Sequence, residues 1–308
     1  MLSRIKNTKF GKKIKNSKTY KNIKKTMNIK YYKIDNKVVK NMQLQQQAYN
    51  KLKRKYSYVI NEFKGKSFDE YKKSNKVWIF WFQGIDDAPI LVKKCIESIE
   101  KSLPDREIII VNEKNIKEYV DFPDFIIKKF KKGIITYTHF SDLLRIELLA
   151  RYGGLWVDAT VFCTSSEIPN YIINAPLFVY KSINLDKQDF IVPIASSWLI
   201  SSYANNNILM LTRELLYEYW KKEKKLINYF LFHLFFAMSA EKFQDEWDNI
   251  PTFNNINPHI LQFELLNEYS EERFQQIKEM SCFHKLNRRI ENSNPEKYTF
   301  YDYIIKEM

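Results

Sequence analysis

Two adjacent glycines, Gly153 and Gly154, interrupt the apolar stretch "HFSDLLRIELLARYGGLWVDAT" at 139–160, in a chain that has only six glycines in 308 residues. Upstream, Leu143, Leu144, Ile146, Leu148 and Leu149 cover most of a helix's circumference, so the spacing predicts a helix over 139–151 buried on more than one side. Downstream, residues 155–158 read as a buried strand. Gly153 can take the left-handed conformation that ends a helix, and Gly154 lets the chain turn at once into the strand. A helix folded back this tightly onto a strand belongs to a layered α/β domain. The same turn fixes Asp158, at the strand's carboxyl end, relative to Asp142 and Arg145, which share a helix face three residues apart. Ser141 or Thr138 is expected to cap this helix.

The flanking sequence repeats the alternation. "KVWIFWF" at 76–82 reads as a strand, Pro89 opens the helical run "PILVKKCIESIEKSL", and "EIIIV" at 107–111 is a second strand. This β-α-β order predicts a parallel sheet. A helical patch over 114–132 is interrupted by Pro123. "PLFVY" at 176–180 and "SWLIS" at 197–201 are further strands, 206–245 and 260–280 are mostly helical, and "SCFHKL" at 281–286 is a short apolar segment. Residues 41–75 read as a helical extension ahead of one α/β domain at 76–308.

Charge is unevenly placed. Residues 1–40 hold thirteen lysines and Arg4 against Asp35, a net of +13 out of +14 for the whole chain. A basic tail on a nearly neutral body argues against a nucleic-acid-binding domain, whose basic stripe should lie on the fold. It suits an anionic membrane surface, at roughly 1 kcal/mol per Lys or Arg, or equally a solvated, disordered tail. No apolar run follows the basic N-terminus, so no signal peptide is expected. The greasiest run, 226–238, is 13 residues long and includes His233; a spanning helix needs about 20, so a buried helix is expected there, with His233 a core histidine. Cys95, Cys163 and Cys282, odd in number and widely spaced, suit reduced thiols in a cytoplasmic protein. No P-loop, Ser-His-Asp set or zinc spacing is present.

Asp142 and Arg145 near the start of an apolar helix, with Asp158 after a strand, place charge where open α/β sheets bind ligands. Asp158 needs hydrogen bonds, a cation or ligand hydroxyls to offset its burial. Trp81 or Phe82 at the end of the first strand could stack on a base, and Gly84, after Gln83, permits close approach of the backbone to a ligand. His284 and Lys285, with Arg288 in reserve, are the candidates for neutralising a diphosphate. Trp198 is a candidate for the acceptor side.

The 139–160 block resembles the S-D-x-x-R … Y-G-G-x-[YW]-x-D-x-D block of sugar-nucleotide-dependent glycosyltransferases, among them fungal α-mannosyltransferases and clostridial glucosylating toxins. With "WIFWFQG" at 78–84, the "AP-x-LV" helix start and "GGLWVDAT", the chain is most similar to the bacterial capsular polysaccharide synthesis glycosyltransferases, over roughly 76–290. The resemblance implies a GT-A-type, Rossmann-like nucleotide-sugar-binding domain. Asp142, Arg145 and Asp158 would be its catalytic centre, and Trp81, Phe82, Gln83, Gly84, Thr160, His284 and Lys285 would join them around the donor. It implies a Mn²⁺ or Mg²⁺ ion at Asp158, with Thr160 and His284 as further candidate ligands. The second acid of the DXD motif is replaced by Thr160, a weaker neutral ligand, which leaves metal dependence open.

The expected activity is transfer of a sugar, with retention, from a nucleotide sugar such as a UDP-sugar to a lipid-linked glycan of a surface polysaccharide. The expected location is the cytoplasmic face of the cell membrane, reached through residues 1–40. The alternatives are a non-catalytic sugar-nucleotide-binding protein with a degenerate DXD site and a nucleic-acid-binding protein acting through the basic tail.

Overall fold

The computed structural model describes residues 36–181, 194–289 and 297–308. Most of the basic tail, residues 1–35, lies outside the described residues. The chain divides into two units, residues 1–48 and 49–308. In the first unit the described part is the start of helix α1 (Asn36–Lys55). The second unit holds the end of that helix and every other element.

Helix ends after Glu62, well short of 75; beyond it the chain is irregular apart from a short turn of 3-10 helix at Phe68–Glu70. Asn207 explains the difference. Its side chain accepts from the Lys66 amide at 2.7 Å and donates to the Lys66 carbonyl at 3.0 Å, taking over bonds that a helix would have made. At Gly65 a Cβ would come within 2.8 Å of the Phe243 ring.

Strand β1 (Lys76–Phe80) is followed by helix α2 (Ile90–Ser102), led by Pro89, and by β2 (Glu107–Val111). Pro123 then sets the start of α3 (Asp124–Lys131). Helix α4 (Tyr137–Tyr152) runs through the twin-glycine bend into β3 (Gly154–Val157). Next come β4 (Val161–Cys163), β5 (Leu177–Lys181) and β6 (Ala195–Ser202). The last third carries α5 (Asn207–Lys222), α6 (Leu231–Lys242), α7 (Glu271–Met280), β7 (Phe283–Lys285) and α8 (Phe300–Lys306). The fold is α/β with a helical N-terminal extension, as the sequence predicts.

The main sheet has the order β2-β1-β3-β6-β5. It is parallel on one side and antiparallel on the other: β1 pairs in parallel with β2 and β3, whereas β6 runs antiparallel to both β3 and β5. Alternation along the central strands decides what each face holds. Val77, Ile79, Leu155 and Val157 join Val92, Ile96 and Ile99 of α2 in one apolar cluster. Trp78 and Trp156 point to the opposite face, where the Trp78 indole donates to the Gly153 carbonyl at 2.9 Å.

The bend itself departs from the simple left-handed helix end. Gly153 has φ 66° and ψ −161°, a region essentially closed to other residues. Gly154 also has positive φ, and a Cβ there would fall 2.3 Å from the Lys76 carbonyl oxygen. Here φ and space both require glycine, because β3 must leave the helix directly against β1.

The short elements that escape sequence reading include β4 and α8. β4 pairs antiparallel with β7, with Val161 opposite Lys285, Phe162 opposite His284 and Cys163 opposite Phe283. A second apolar cluster, including Phe162, Leu286, Phe274 and Ile277 of α7 and Phe300 and Ile304 of α8, packs beside this small sheet. No helix among the described residues is long and apolar enough to cross a membrane.

Candidate active site

Helix α4 begins with Thr136, whose hydroxyl accepts from the His139 amide at 3.3 Å. The cap is therefore neither Thr138 nor Ser141; both line the crevice described below instead. This start places His139, Asp142 and Arg145 on one face. The indole of Trp220 donates to His139 Nε2 at 2.7 Å. The neutral ring then carries its proton on Nδ1, which lies 3.5 Å from Asp142 Oδ2.

Arg145 is the hub. Its Nη1 donates to Asp142 Oδ1 at 2.5 Å and its Nη2 to Asp158 Oδ1 at 2.9 Å. The guanidinium lies over the Trp156 ring at 4.8 Å, with Phe232 of α6 at 5.7 Å. Trp156 donates its indole N–H to the same Asp158 oxygen at 2.9 Å. The other oxygen, Oδ2, is 3.3 Å from Lys285 Nζ, and that ammonium also donates to the Thr160 hydroxyl.

Both carboxylates are ionised at neutral pH. Burial raises the pKa of Asp142, but the His139 ring and the Arg145 guanidinium outweigh it and hold the carboxyl below its usual value. Burial likewise opposes ionisation of Asp158 and is overcome by Lys285 and Arg145, with help from the Trp156 N–H. His233, half-buried beside them, is pushed down to about 4 by desolvation, against the pull of Asp142.

The exposed edge of this network opens into a crevice at the carboxyl ends of β1 and β3. One lobe, of about 450 Å³, is lined by Arg145, Asp158, Thr160, Lys285, Arg288 and Arg289, with Tyr229 and Gln262 at its side. A second lobe, of about 520 Å³, reaches Phe82, Gln83, Asp87 and Tyr137. Trp81 and Arg288 line both, and the Arg288 guanidinium sits 5.4 Å from the Trp81 ring centre. A larger groove of about 670 Å³, lined by Tyr58, Glu62, Glu214 and Glu218 among others, lies apart from this network.

Arg145, Asp158, Thr160, Lys285, Trp81, Phe82 and Gln83 thus meet in one crevice. Asp142 does not line it: it stands behind Arg145 and acts through it. Gly84 closes the Trp81–Gly84 turn with φ 90° and lines neither lobe. His284 is fully buried, with Nε2 3.0 Å from the Thr164 hydroxyl. Strand alternation is the reason, since β7 can send only one of two consecutive side chains to the crevice, and that one is Lys285. Trp198 belongs to the core, where it stacks on Tyr180 and donates to Asn255, so it is not an acceptor-side residue. The cysteines are free thiols. Sequence reading missed the part played by Trp156, whose parity with Asp158 across one residue was a usable signal. It also missed Arg289 and the His139–Trp220 pair, which only the packing of α4 against α5 brings together.

The family model described as "Capsular polysaccharide synthesis protein" matches residues 25–304. The chain belongs to the capsular polysaccharide synthesis protein family. A stretch of 95 residues is 33% identical to the O-glycosyltransferase braB of Annulohypoxylon truncatum, covering 28% of this chain and 23% of that protein, so the chain spans about a quarter of that relative's length. Among solved structures, PaToxG Glycosyltransferase is similar with a TM-score of 0.39 and 13% identity, over 78% of this chain and 94% of that one. In this family member the "GGLWVDAT" block supplies Trp156, Asp158, Ala159 and Thr160 to the crevice lining.

Proposed function

We propose that this protein transfers a sugar from a nucleoside diphosphate sugar, a UDP-sugar in the first instance, to a hydroxyl of a lipid-linked glycan. The observation that carries the reading is the convergence of Arg145, Asp158 and Lys285 at the mouth of the sheet, in a crevice also lined by Trp81 and by the exposed Arg288 and Arg289, with the Arg288 guanidinium against the Trp81 ring. In a GT-A-like arrangement the base enters the lobe of Trp81 and Phe82. The diphosphate meets Lys285, Arg288 and Arg289. The donor sugar's hydroxyls face Asp158 and Arg145. Tyr229, 65% exposed at the rim, offers a ring on which an acceptor sugar can stack.

The chemistry follows from what these groups can do. Among the described residues lining the inner lobe, Asp158 is the sole carboxylate. Its depressed pKa and its bonds to Arg145, Trp156 and Lys285 make it a weak base and a poor nucleophile. That favours a route without a covalent enzyme intermediate. The bond from the anomeric carbon to the phosphate oxygen breaks, and the acceptor oxygen bonds to that carbon from the same face. The acceptor's proton passes to the departing phosphate oxygen. The side chains stabilise the leaving charge and hold the partners in place, with retention of configuration.

The test is a panel of nucleotide sugars incubated with full-length protein and assayed for released nucleoside diphosphate. Release from one donor, lost in Asp158→Asn, is expected. Donor turnover that persists in that variant sinks the assignment. Tight binding with no turnover for any donor, with or without lipid-linked acceptor, would favour a non-catalytic binding protein instead.

A further inference from the structure

The position at which a divalent cation would bridge the motif to a diphosphate is already filled by a side chain. Lys285 Nζ lies between Asp158 Oδ2, at 3.3 Å, and the Thr160 hydroxyl, to which it donates. These are the two side chains that a D-x-D arrangement would use to hold a metal. The other Asp158 oxygen is taken by Arg145 and Trp156. His284, the remaining candidate ligand, is buried against Thr164. Among the described residues no group of three or more His, Cys, Asp or Glu side chains could hold a metal ion. Mn²⁺ and Mg²⁺ prefer oxygen ligands, with carboxylates favoured, and this donor set offers one carboxylate whose oxygens are already committed.

The charge of the lobe agrees. Arg145 and Lys285 pair with Asp158, Arg288 and Arg289 line the same lobe, and Asp142 stands behind Arg145. Four cationic side chains against two carboxylates leave a net of two positive charges, which matches the two negative charges of a nucleotide sugar's diphosphate. A divalent ion would enter a lobe that is already positive. Lys285 is also fixed in place. β7 is paired with β4, and the Leu286 amide donates to the Thr160 carbonyl at 2.8 Å, so the ammonium and its two oxygen partners are tied by backbone as well as by side chains.

We propose that Lys285 takes the place of the metal ion, and that this protein binds and discharges its nucleoside diphosphate without a divalent cation. The inference rests on the donor-binding reading of the crevice. Arg288 and Arg289 complete the cradle, and Asp158 serves to hold the ammonium and the Arg145 guanidinium where the diphosphate oxygens arrive.

The experiment is calorimetric titration of UDP and of GDP into the full-length protein, once in EDTA and once in Mn²⁺. The expected result is binding of the preferred nucleotide with the same affinity in both. Binding that needs Mn²⁺, or tightens about tenfold or more with it, overturns the proposal while leaving the donor reading intact. No binding of either nucleotide under either condition removes the donor reading and this proposal together. The wild-type comparison needs no variant. Lys285→Met should weaken binding in EDTA by about 10- to 100-fold, the loss of one charge-assisted contact, and Mn²⁺ should not restore it. In the double variant Lys285→Met with Thr160→Asp, two carboxylates face the vacated space. Nucleotide binding that returns only with Mn²⁺ is expected there; a folded double variant that ignores Mn²⁺ counts against the ammonium standing at a metal's position.

Discussion

Arg145 is held by Asp142 and Asp158 through two different nitrogens and lies on Trp156, yet the two acids do different work. Asp142 is buried and its loss leaves a buried guanidinium short of a partner. Asp142→Ala is expected to cost about 3–5 kcal/mol of stability by urea denaturation. Asp158 is partly exposed at the crevice. Asp158→Asn keeps an oxygen for Arg145 and Trp156 but removes the charge, so it should cost less, about 1–3 kcal/mol, and lower donor turnover by about 100-fold or more, and the pair of variants separates support from chemistry. The sequence places these three residues together because helix spacing and a two-glycine turn are local. It does not separate the roles of Asp142 and Asp158, which depend on what packs behind α4. His284 shows the same limit. "SCFHKL" has no alternation to say which side chain faces the crevice, and the parity is set by pairing with β4, a three-residue strand with no signal of its own.

At the scale of elements, the α4–β3 junction is the strictest point in the fold. Gly154→Ala would drive a Cβ into the Lys76 carbonyl and Gly153→Ala one into the Ala204 amide at 2.5 Å. Both should destabilise by about 3 kcal/mol or more, beyond the 1–3 kcal/mol of backbone strain alone, and should fail to accumulate as soluble protein. Gly84→Ala is the control. It shares a positive φ, but nothing lies within 4 Å of the added carbon, so a loss of about 1–2 kcal/mol with an intact fold is expected. Strands β1, β2 and β3 and the helices between them are legible because each carries its own period and its own proline or glycine boundary. The antiparallel arrival of β6 is not, since direction depends on a connection whose length and apolar content fit either sense. The helical reading of 63–75 fails for a related reason: Asn207, some 140 positions away, takes the backbone bonds of Lys66.

For the whole molecule, acid should weaken the fold before it disrupts the carboxylates. His233 and His284 are held by burial at about 4 and about 3, below the ordinary 6.5. Between pH 6.5 and about 4 the unfolded chain takes up protons at these positions and the folded one does not, so stability falls as pH falls through that window. The loss at about pH 5 should be roughly 1–2 kcal/mol per histidine, read from urea midpoints at neutral and acid pH, and smaller in His284→Gln. Asp142 and Asp158, with lowered values, add to the decline only at still lower pH. The basic tail is a separate question. Removing residues 1–40 takes away +13 of the +14 and should abolish binding to anionic vesicles while donor turnover in solution persists; unchanged vesicle binding refutes a membrane role for the tail. The pairing of β4 with β7 has a consequence in time. A chain emerging from the ribosome displays Arg145 and Asp158 long before Lys285 exists to be placed beside them. On the proposed reading, nascent protein should therefore be unable to grip its nucleotide until β7 has been made and paired with β4.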